Sequence, residues 1–385
     1  MRIAFYAPMK PPDAPNPSGD RRMARLLIAA LGRAGHEVSL ASRFRVWQGA
    51  PDAVRQRRLA ALGARLADRL AARWRTAPAG RRPELWLSYH VHYKAPDWIG
   101  PAVSRALGMP YVIAEASLAP KRAGGPWAVG HEAAARAIRA ADAVIGPNPV
   151  DAACVAPLLR DGVRWTALPP FVEIAPLAAA AAHRAGHRRA LCAAHGIDPA
   201  SPVLLAVAMM RPGDKLQSYR VLAAAMARLV ERPWTLVIAG DGAARTEIEA
   251  LFAALPAGRL RWLGERAPDQ LAALYAAADL AVWPAINEAY GMAILEAQAA
   301  GLAVIAGRSG GVAGIVRDGE TGLLTPAGDD GAFADAVADL LADGPRRRAM
   351  GKAASATAAR DHSLDMAAAK LDAALRAVVL RRRAA

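Results

Sequence analysis

The chain has 385 residues and a formal net charge of +15, with 54% hydrophobic and 22% charged residues. That length exceeds what one core usually serves, so two domains are expected, and the composition excludes wholesale disorder. Only two cysteines occur, Cys154 and Cys192, in no C-x-x-C pattern. This argues against a disulfide framework or a cysteine-built zinc site and makes a reducing cytosol the expected compartment.

The opening M-R-I-A-F-Y-A-P-M-K-P-P is too short in its apolar part for a signal peptide and lacks a small-residue cleavage site. No uncharged apolar run approaches the ~18 to 20 residues that cross a bilayer. A strand over 2–7 leads through a proline-rich loop to the P-S-G-D turn at 17–20, then a helix over about 20–34 with Gly35 as its stop signal. Residues 54–76 carry Arg55, Arg57, Arg58, Arg65, Arg69, Arg73 and Arg75, interleaved with Leu59, Leu62, Leu66, Leu70 and Trp74. The apolar residues fall mostly at i, i+3 and i+4, which predicts an amphipathic basic helix. It reads either as a membrane-surface segment or as a helix packed on the N-terminal sheet with its arginines in water.

Short apolar runs recur at 38–41, 85–89, 111–114 and 143–145, and again at 203–208, 235–239, 260–263, 280–283, 302–306 and 322–324, with helical patterns or glycine-rich turns between them. Strands alternating with helices predict parallel sheets covered on both faces. The chain therefore reads as two doubly wound, Rossmann-like α/β domains facing each other across a cleft, with ligands at the carboxyl ends of the strands. The expected division is 1–170, a linker over 171–200 that begins after the Pro169-Pro170 pair, 201–362, and a last helix over 363–385 crossing back toward the first domain.

Charge is uneven: up to residue 200 there are 28 Lys or Arg against 14 Asp or Glu, and after it 21 against 20. A general arginine bias would act on both halves. The asymmetry reads either as arginines solvated on helix faces or as a first half that meets something anionic, such as phospholipid, a lipid-linked phosphate or an acidic polysaccharide. Nucleic acid is the remoter choice, because aromatics make up only 5% of residues and no binding motif is present. The expected location is cytoplasmic, with peripheral contact at the inner face of the membrane.

The densest signal is N-E-A-Y-G-M-A-I-L-E-A-Q-A-A-G, after the apolar run 280–285. Gly291 and Met292 read as a helix start, and eight helical residues would separate Glu288 and Glu296 by about 12 Å with about 80° of rotation. Two carboxylates with helix-start amides between them suit a ligand with hydroxyls at both ends and phosphate in the middle. The plainer readings are a helix-start charge for Glu288 and a solvated helix residue for Glu296. Arg211 and Lys215, in M-M-R-P-G-D-K past the strand at 203–208, are cations suited to a diphosphate or read plainly as a solvated loop pair. His90 and His92 stand two apart at a strand end, so both would point one way. With no Asp, Glu or Cys in the next few residues to complete a metal site, they read as cleft histidines or as satisfied structural ones.

From residue 203 to 330 the chain resembles the C-terminal domain of the retaining glycosyltransferases of family 4, which have the GT-B architecture. The resemblance rests on A-G-D-G at 239–242, L-Y-A-A-A-D at 274–279, E-A-Y-G-M-A-I-L-E-A-Q-A-A-G at 288–301 and S-G-G-V-A-G-I-V-R-D-G-E-T-G-L-L at 309–324. It implies that Glu288, with Lys215 and Arg211, serves the reacting donor sugar and its diphosphate, and that Glu296 accepts hydrogen bonds from the ribose. The family's arginine falls nearer Met209 in this chain, with Arg211 one turn on. Gly291 and Met292 would offer amides to the donor. Gly310 and Gly311 would open a helix that does the same, or form only a tight turn. Gly19, in the family's first glycine-bearing loop, would admit close backbone approach, or is an ordinary turn glycine.

The acceptor side would fall to His90, His92 and Glu115. Many family members have a histidine near Glu115, which either takes over acceptor contacts or pairs with an arginine. The resemblance implies a metal-independent transferase with no bound cofactor, which moves a sugar from a nucleoside diphosphate to a glycan, lipid-linked or small-molecule acceptor with retention. A nucleotide-sugar epimerase or a phosphorylase of the same fold is the alternative. A dinucleotide oxidoreductase is excluded because neither first strand leads into G-x-G-x-x-G.

Overall fold

The computed structural model describes residues 1–15, 18–147 and 149–384. Pro17, in the expected P-S-G-D turn, lies outside the described residues. The chain divides into two compact units, one built from Met1–Pro169 with Leu364 onward and the other from Pro170–Ser363.

The first unit holds strands β1 (Arg2–Tyr6), β2 (Glu37–Ser42), β3 (Leu85–Val91), β4 (Tyr111–Ala116), β5 (Ala143–Gly146) and β6 (Trp165–Ala167), all parallel, in the order β2-β1-β3-β4-β5-β6. The apolar side chains of β1, β3, β4 and β5 are buried, as a sheet covered on both faces requires, while those of the edge strands β2 and β6 are only partly covered. The helix after β1, Gly19–Arg33, starts because Ser18 Oγ accepts from Arg21 N–H at 3.2 Å. Beneath the sheet Asp97 is fully inside: its Oδ1 accepts from the amides of Ile99 and Gly100, each at 2.8 Å, and its Oδ2 from Tyr111 OH at 2.9 Å and from Ser88 Oγ. Burial pushes its carboxyl up despite these donors.

The last helix, Leu364–Ala384, belongs to this unit and lies against the Gly19–Arg33 helix. Leu371, Leu375 and Val378 are buried, Arg33 Nε donates to Asp365 Oδ1 at 2.7 Å, and Arg382 Nε donates to Asp142 Oδ1 at 3.1 Å.

The second unit holds β7 (Val203–Val207), β8 (Thr235–Ala239), β9 (Leu260–Gly264), β10 (Leu280–Trp283), β11 (Val304–Gly307) and β12 (Gly322–Thr325), again all parallel, in the order β12-β11-β10-β7-β8-β9. Strand order reverses between β7 and β10, which makes the crevice past their carboxyl ends the natural ligand site. In the first unit the same reversal falls between β1 and β3. Residues 171–200 are largely helical: Ile174–Ala182 and Arg184–His195 pack on the Pro268–Ala277 helix of the second unit. Arg188 fixes them there, donating to Asp279 Oδ2 at 3.0 Å.

Candidate active site

At the β7/β10 crevice the chain brings Lys215 and Glu288 together. Lys215 stands in the first turn of the Asp214–Ala227 helix, after the loop from β7, and Glu288 in the loop from β10. The Lys215 ammonium donates to Glu288 Oε2 and lies 5.2 Å from the centroid of the Trp283 ring. The Trp283 indole N–H donates to the same carboxylate oxygen at 3.3 Å. Both charged side chains keep access to solvent, at 22% and 17% exposure. Trp283 is itself held edge-on by Tyr219, centroids 5.0 Å apart, whose hydroxyl donates to Ala208 O at 2.9 Å.

The loop bearing Glu288 is strained and pinned. Ala285 and Asn287 have φ of 55° and 47°, a region such residues enter at an energetic penalty. Ser218 Oγ accepts from Ile286 N–H at 3.0 Å, Asp214 Oδ1 from Asn287 Nδ2 at 3.1 Å, and Ser309 Oγ from Glu288 N–H at 3.3 Å. Three anchors on two other elements thus hold the carboxylate's backbone in place.

The expected helical spacing between the two glutamates is corrected here. The helix is Met292–Ala299, with Gly291 left-handed at φ 70° as its cap, so Glu288 lies in the loop four residues before the first turn. Only Glu296 is helical, and the estimate of rise and rotation does not apply. No side chain caps this helix, so its first-turn amides carry the positive end of the dipole. Glu296 is 3% exposed and accepts from Tyr275 OH at 3.2 Å, so it is an inward-facing acid and not a solvated one.

Gly310 and Gly311 do something other than open a helix. Only a single 3-10 turn follows them, Val312–Gly314. A Cβ on Gly310, whose φ is 50°, would stand 2.0 Å from Glu288 O, and one on Gly311 would stand 2.2 Å from Ala289 O. The Gly311 N–H is already spent, donating to Ala289 O at 3.1 Å. These glycines let the loop lie directly against the backbone of Glu288. Gly19, by contrast, is the first residue of its helix, and a Cβ there would meet no protein atom within 4 Å. Arg211 lies exposed in the loop after β7 and makes no ion pair among the described residues, and Met209 is exposed beside it.

In the first unit a second polar cluster forms at the β1/β3 reversal. His90 Nδ1 lies 2.9 Å from Asp20 Oδ1 and its Nε2 lies 3.5 Å from Glu115 Oε1. Both His90 and Glu115 have left-handed backbone, φ 60° and 65°. Burial works against the charged imidazole, but the charge of Glu115 and the bond to Asp20 outweigh it and carry His90 up to about 9. Burial first, and the charge of His90 second, take His92 down to about 3. The rings of the two histidines are 4.8 Å apart, and His92 Nδ1 accepts from Lys94 N–H at 3.1 Å, so His92 is a neutral partner of its own turn. Burial and then the charge of Glu115 raise the Asp151 carboxyl nearby. Among the described residues no group of three or more His, Cys, Asp or Glu is placed to hold a metal ion.

Sequence reasoning passed over Asp20, Trp283, Ser309, Tyr275 and Asp151. The first four lie in or beside segments that had drawn notice, Asp20, Trp283 and Ser309 at strand ends or turns, but Tyr275 sits within a helix, where it looks like core. Asp151 offers none.

Two parallel sheets, each with a reversal of strand order and one with a paired lysine and glutamate beside it, define a doubly wound α/β architecture. Residues 189–357, somewhat less than half of the chain, match the family model for glycosyl transferases group 1. It is 39% identical over 157 residues to the D-inositol 3-phosphate glycosyltransferase of Corynebacterium urealyticum, covering 38% of this chain and 37% of the relative. To the enzyme of that name from Nocardia farcinica it is 36% identical over 187 residues, covering 46% and 41%. The chain thus spans about two-fifths of the length of these curated relatives.

Among solved structures, sucrose-phosphate synthase from Thermosynechococcus elongatus superposes with a TM-score of 0.73 at 21% identity, covering 99% of both chains. Anabaena HepE, crystallised in complex with UDP, does so with a TM-score of 0.73 at 18% identity, covering 98% of this chain and 100% of its own. At such identities the likeness carries the fold alone, which is GT-B. No helix among the described residues is long and apolar enough to cross a membrane.

Proposed function

We propose that the protein is a retaining glycosyltransferase that moves a hexose from a nucleoside diphosphate to the hydroxyl of an acceptor. The observation that carries this reading is the Lys215–Glu288 pair under Trp283, at the β7/β10 reversal and beside the uncapped helix that bears Glu296. Lys215, with Arg211 reaching from the loop, meets the diphosphate and steadies the charge that grows on it. The amides of Gly291 and Met292 lie at the helix start, where phosphate binds well. Glu296 accepts from the ribose hydroxyls and Glu288 from the sugar. Gly19 gives backbone access on the other unit, and His90 and Glu115, supported by His92, take the acceptor.

In the reaction the bond from the sugar's anomeric carbon to the diphosphate oxygen breaks, its electron pair leaving with the diphosphate. The acceptor oxygen bonds that carbon on the same face, and its proton passes to the departing phosphate. No separate general base is then needed. The names of the curated relatives favour a phosphorylated polyol as acceptor, free or as a lipid headgroup, and the UDP in Anabaena HepE favours a uridine donor. The match of residues 189–357 to glycosyl transferases group 1 supports transfer over the epimerase and phosphorylase alternatives.

The test is to incubate the protein with nucleotide-sugars and candidate polyol phosphates and follow nucleoside diphosphate release and product anomeric configuration by NMR. Acceptor-dependent release with the donor's configuration kept supports the proposal. An inverted product, or no release with any pair, contradicts it.

A further inference from the structure

The helix Ala53–Thr76 buries one narrow stripe, Gln56, Gly63, Ala67, Ala71 and Trp74, against the first unit. On the opposite side Arg58, Leu62, Arg65, Arg69 and Arg73 follow one another three or four residues apart and are all exposed. They fill a sector of about 80° and run for about 22 Å. Leu62 at 41% and Val54 at 51% are two of the few large apolar side chains this open to solvent. None of these four arginines makes an ion pair among the described residues. Exposed arginines of the second unit commonly do, as Arg220 with Glu247 and Arg346 with Asp339 show.

The row does nothing for the helix itself. Like charges three and four residues apart oppose each other, and Arg55 and Arg58 sit near the positive end of the dipole. Its only internal acid is Asp68. What suits such a face is a fixed layer of negative charge outside the protein. The exposed leucine and valine fit a layer with an apolar interior, and no aromatic on this face offers a base a stacking platform.

We infer that the exposed arginine face of Ala53–Thr76 docks the protein on a bilayer rich in anionic phospholipid. The inference is independent of the transferase reading. The test is co-sedimentation of the intact chain with vesicles of phosphatidylcholine, alone or with one-third phosphatidylglycerol, at low and high salt. It compares the wild type, an Arg58→Gln/Arg65→Gln/Arg69→Gln/Arg73→Gln variant, Leu62→Gln, and a control that removes the same charge from the second unit (Arg189→Gln/Arg220→Gln/Arg232→Gln/Arg348→Gln). Thermal melts confirm that each is folded. Binding confined to anionic vesicles, abolished by salt and falling about fivefold per helix arginine removed but not in the control, is the expected result. A smaller loss is expected for Leu62→Gln. Equal loss in the control, no binding to anionic vesicles, or tighter binding to duplex DNA than to vesicles at the same salt would overturn it. None of these readings needs donor or acceptor, so enzymatic inactivity leaves the test intact.

Discussion

Glu288 is held from both ends: its carboxylate takes two donors, Lys215 and the Trp283 indole, while its backbone N–H is anchored on Ser309. Replacing Lys215 by Ala removes a cation from the place where leaving-group charge develops, and turnover should fall about 100- to 1,000-fold while the fold survives. Steady-state kinetics beside a thermal melt checks this. Glu296 is an interior acid on Tyr275, and Glu296→Gln keeps its shape but replaces one carboxyl oxygen by an amide NH2. Nucleoside diphosphate affinity should drop about tenfold or more by calorimetry, since an amide NH2 cannot accept from a ribose hydroxyl. At His90 the sign is set by a folded-state pKa raised to about 9. The stability it contributes is therefore complete below its unfolded value near 6.5 and is lost as pH rises through about 9. NMR should show the His90 imidazole titrating near 9, and Glu115→Gln should move that midpoint down. An unmoved midpoint would mean that Glu115 is not what holds the charge.

Among the elements, the loop between β10 and the Met292–Ala299 helix decides where Glu288 sits. Gly310→Ala places a methyl 2.0 Å from Glu288 O on backbone at φ 50°, so it should destabilise the protein by more than about 1 kcal/mol and displace Glu288. Denaturant unfolding together with kinetics reads both effects. Gly19→Ala is the contrast, with no protein atom to meet: the melt should stay unchanged, and any lost activity reports what approaches that backbone. This element scale also shows what the chain made legible. Most strands announced themselves because both faces of each sheet are covered, leaving apolar runs such as 236–239, whereas the short edge strand β6 left no such run. The Gly19–Arg33 helix was readable from its apolar spacing and Gly35. The loop at 284–291 was not, because two non-glycine residues take left-handed backbone there. The helix start at Gly291 and Met292 was readable, but the spacing estimate counted 288–291 as helical too and set both glutamates on one cylinder. Tyr275 and Trp283 were equally hidden as site residues, since a tyrosine on a helix and a tryptophan ending a strand look like core until their polar hydrogens are seen to point at Glu296 and Glu288.

Each unit of the molecule has its own core and its own reversal of strand order, and the C-terminal helix is part of the first core although it follows the second in sequence. Leu375 is fully buried, so Leu375→Ala should destabilise the first unit by about 2–5 kcal/mol, seen as an earlier calorimetric transition. A nucleotide held by the second unit should instead raise that unit's own transition. The residues proposed for the donor, Lys215, Glu288, Glu296 and the helix start at Met292, all come from the second unit, which makes donor binding the plainest test of the whole account. Calorimetric titration with a panel of nucleoside diphosphates and their sugars should show selective binding of one base, worth about 2.7 kcal/mol of added stability at 100 times its dissociation constant. That binding should be weakened in both Lys215→Ala and Glu296→Gln. Binding unchanged in both variants, or no binding by any member of the panel, would contradict the assignment of this crevice to a nucleotide-sugar.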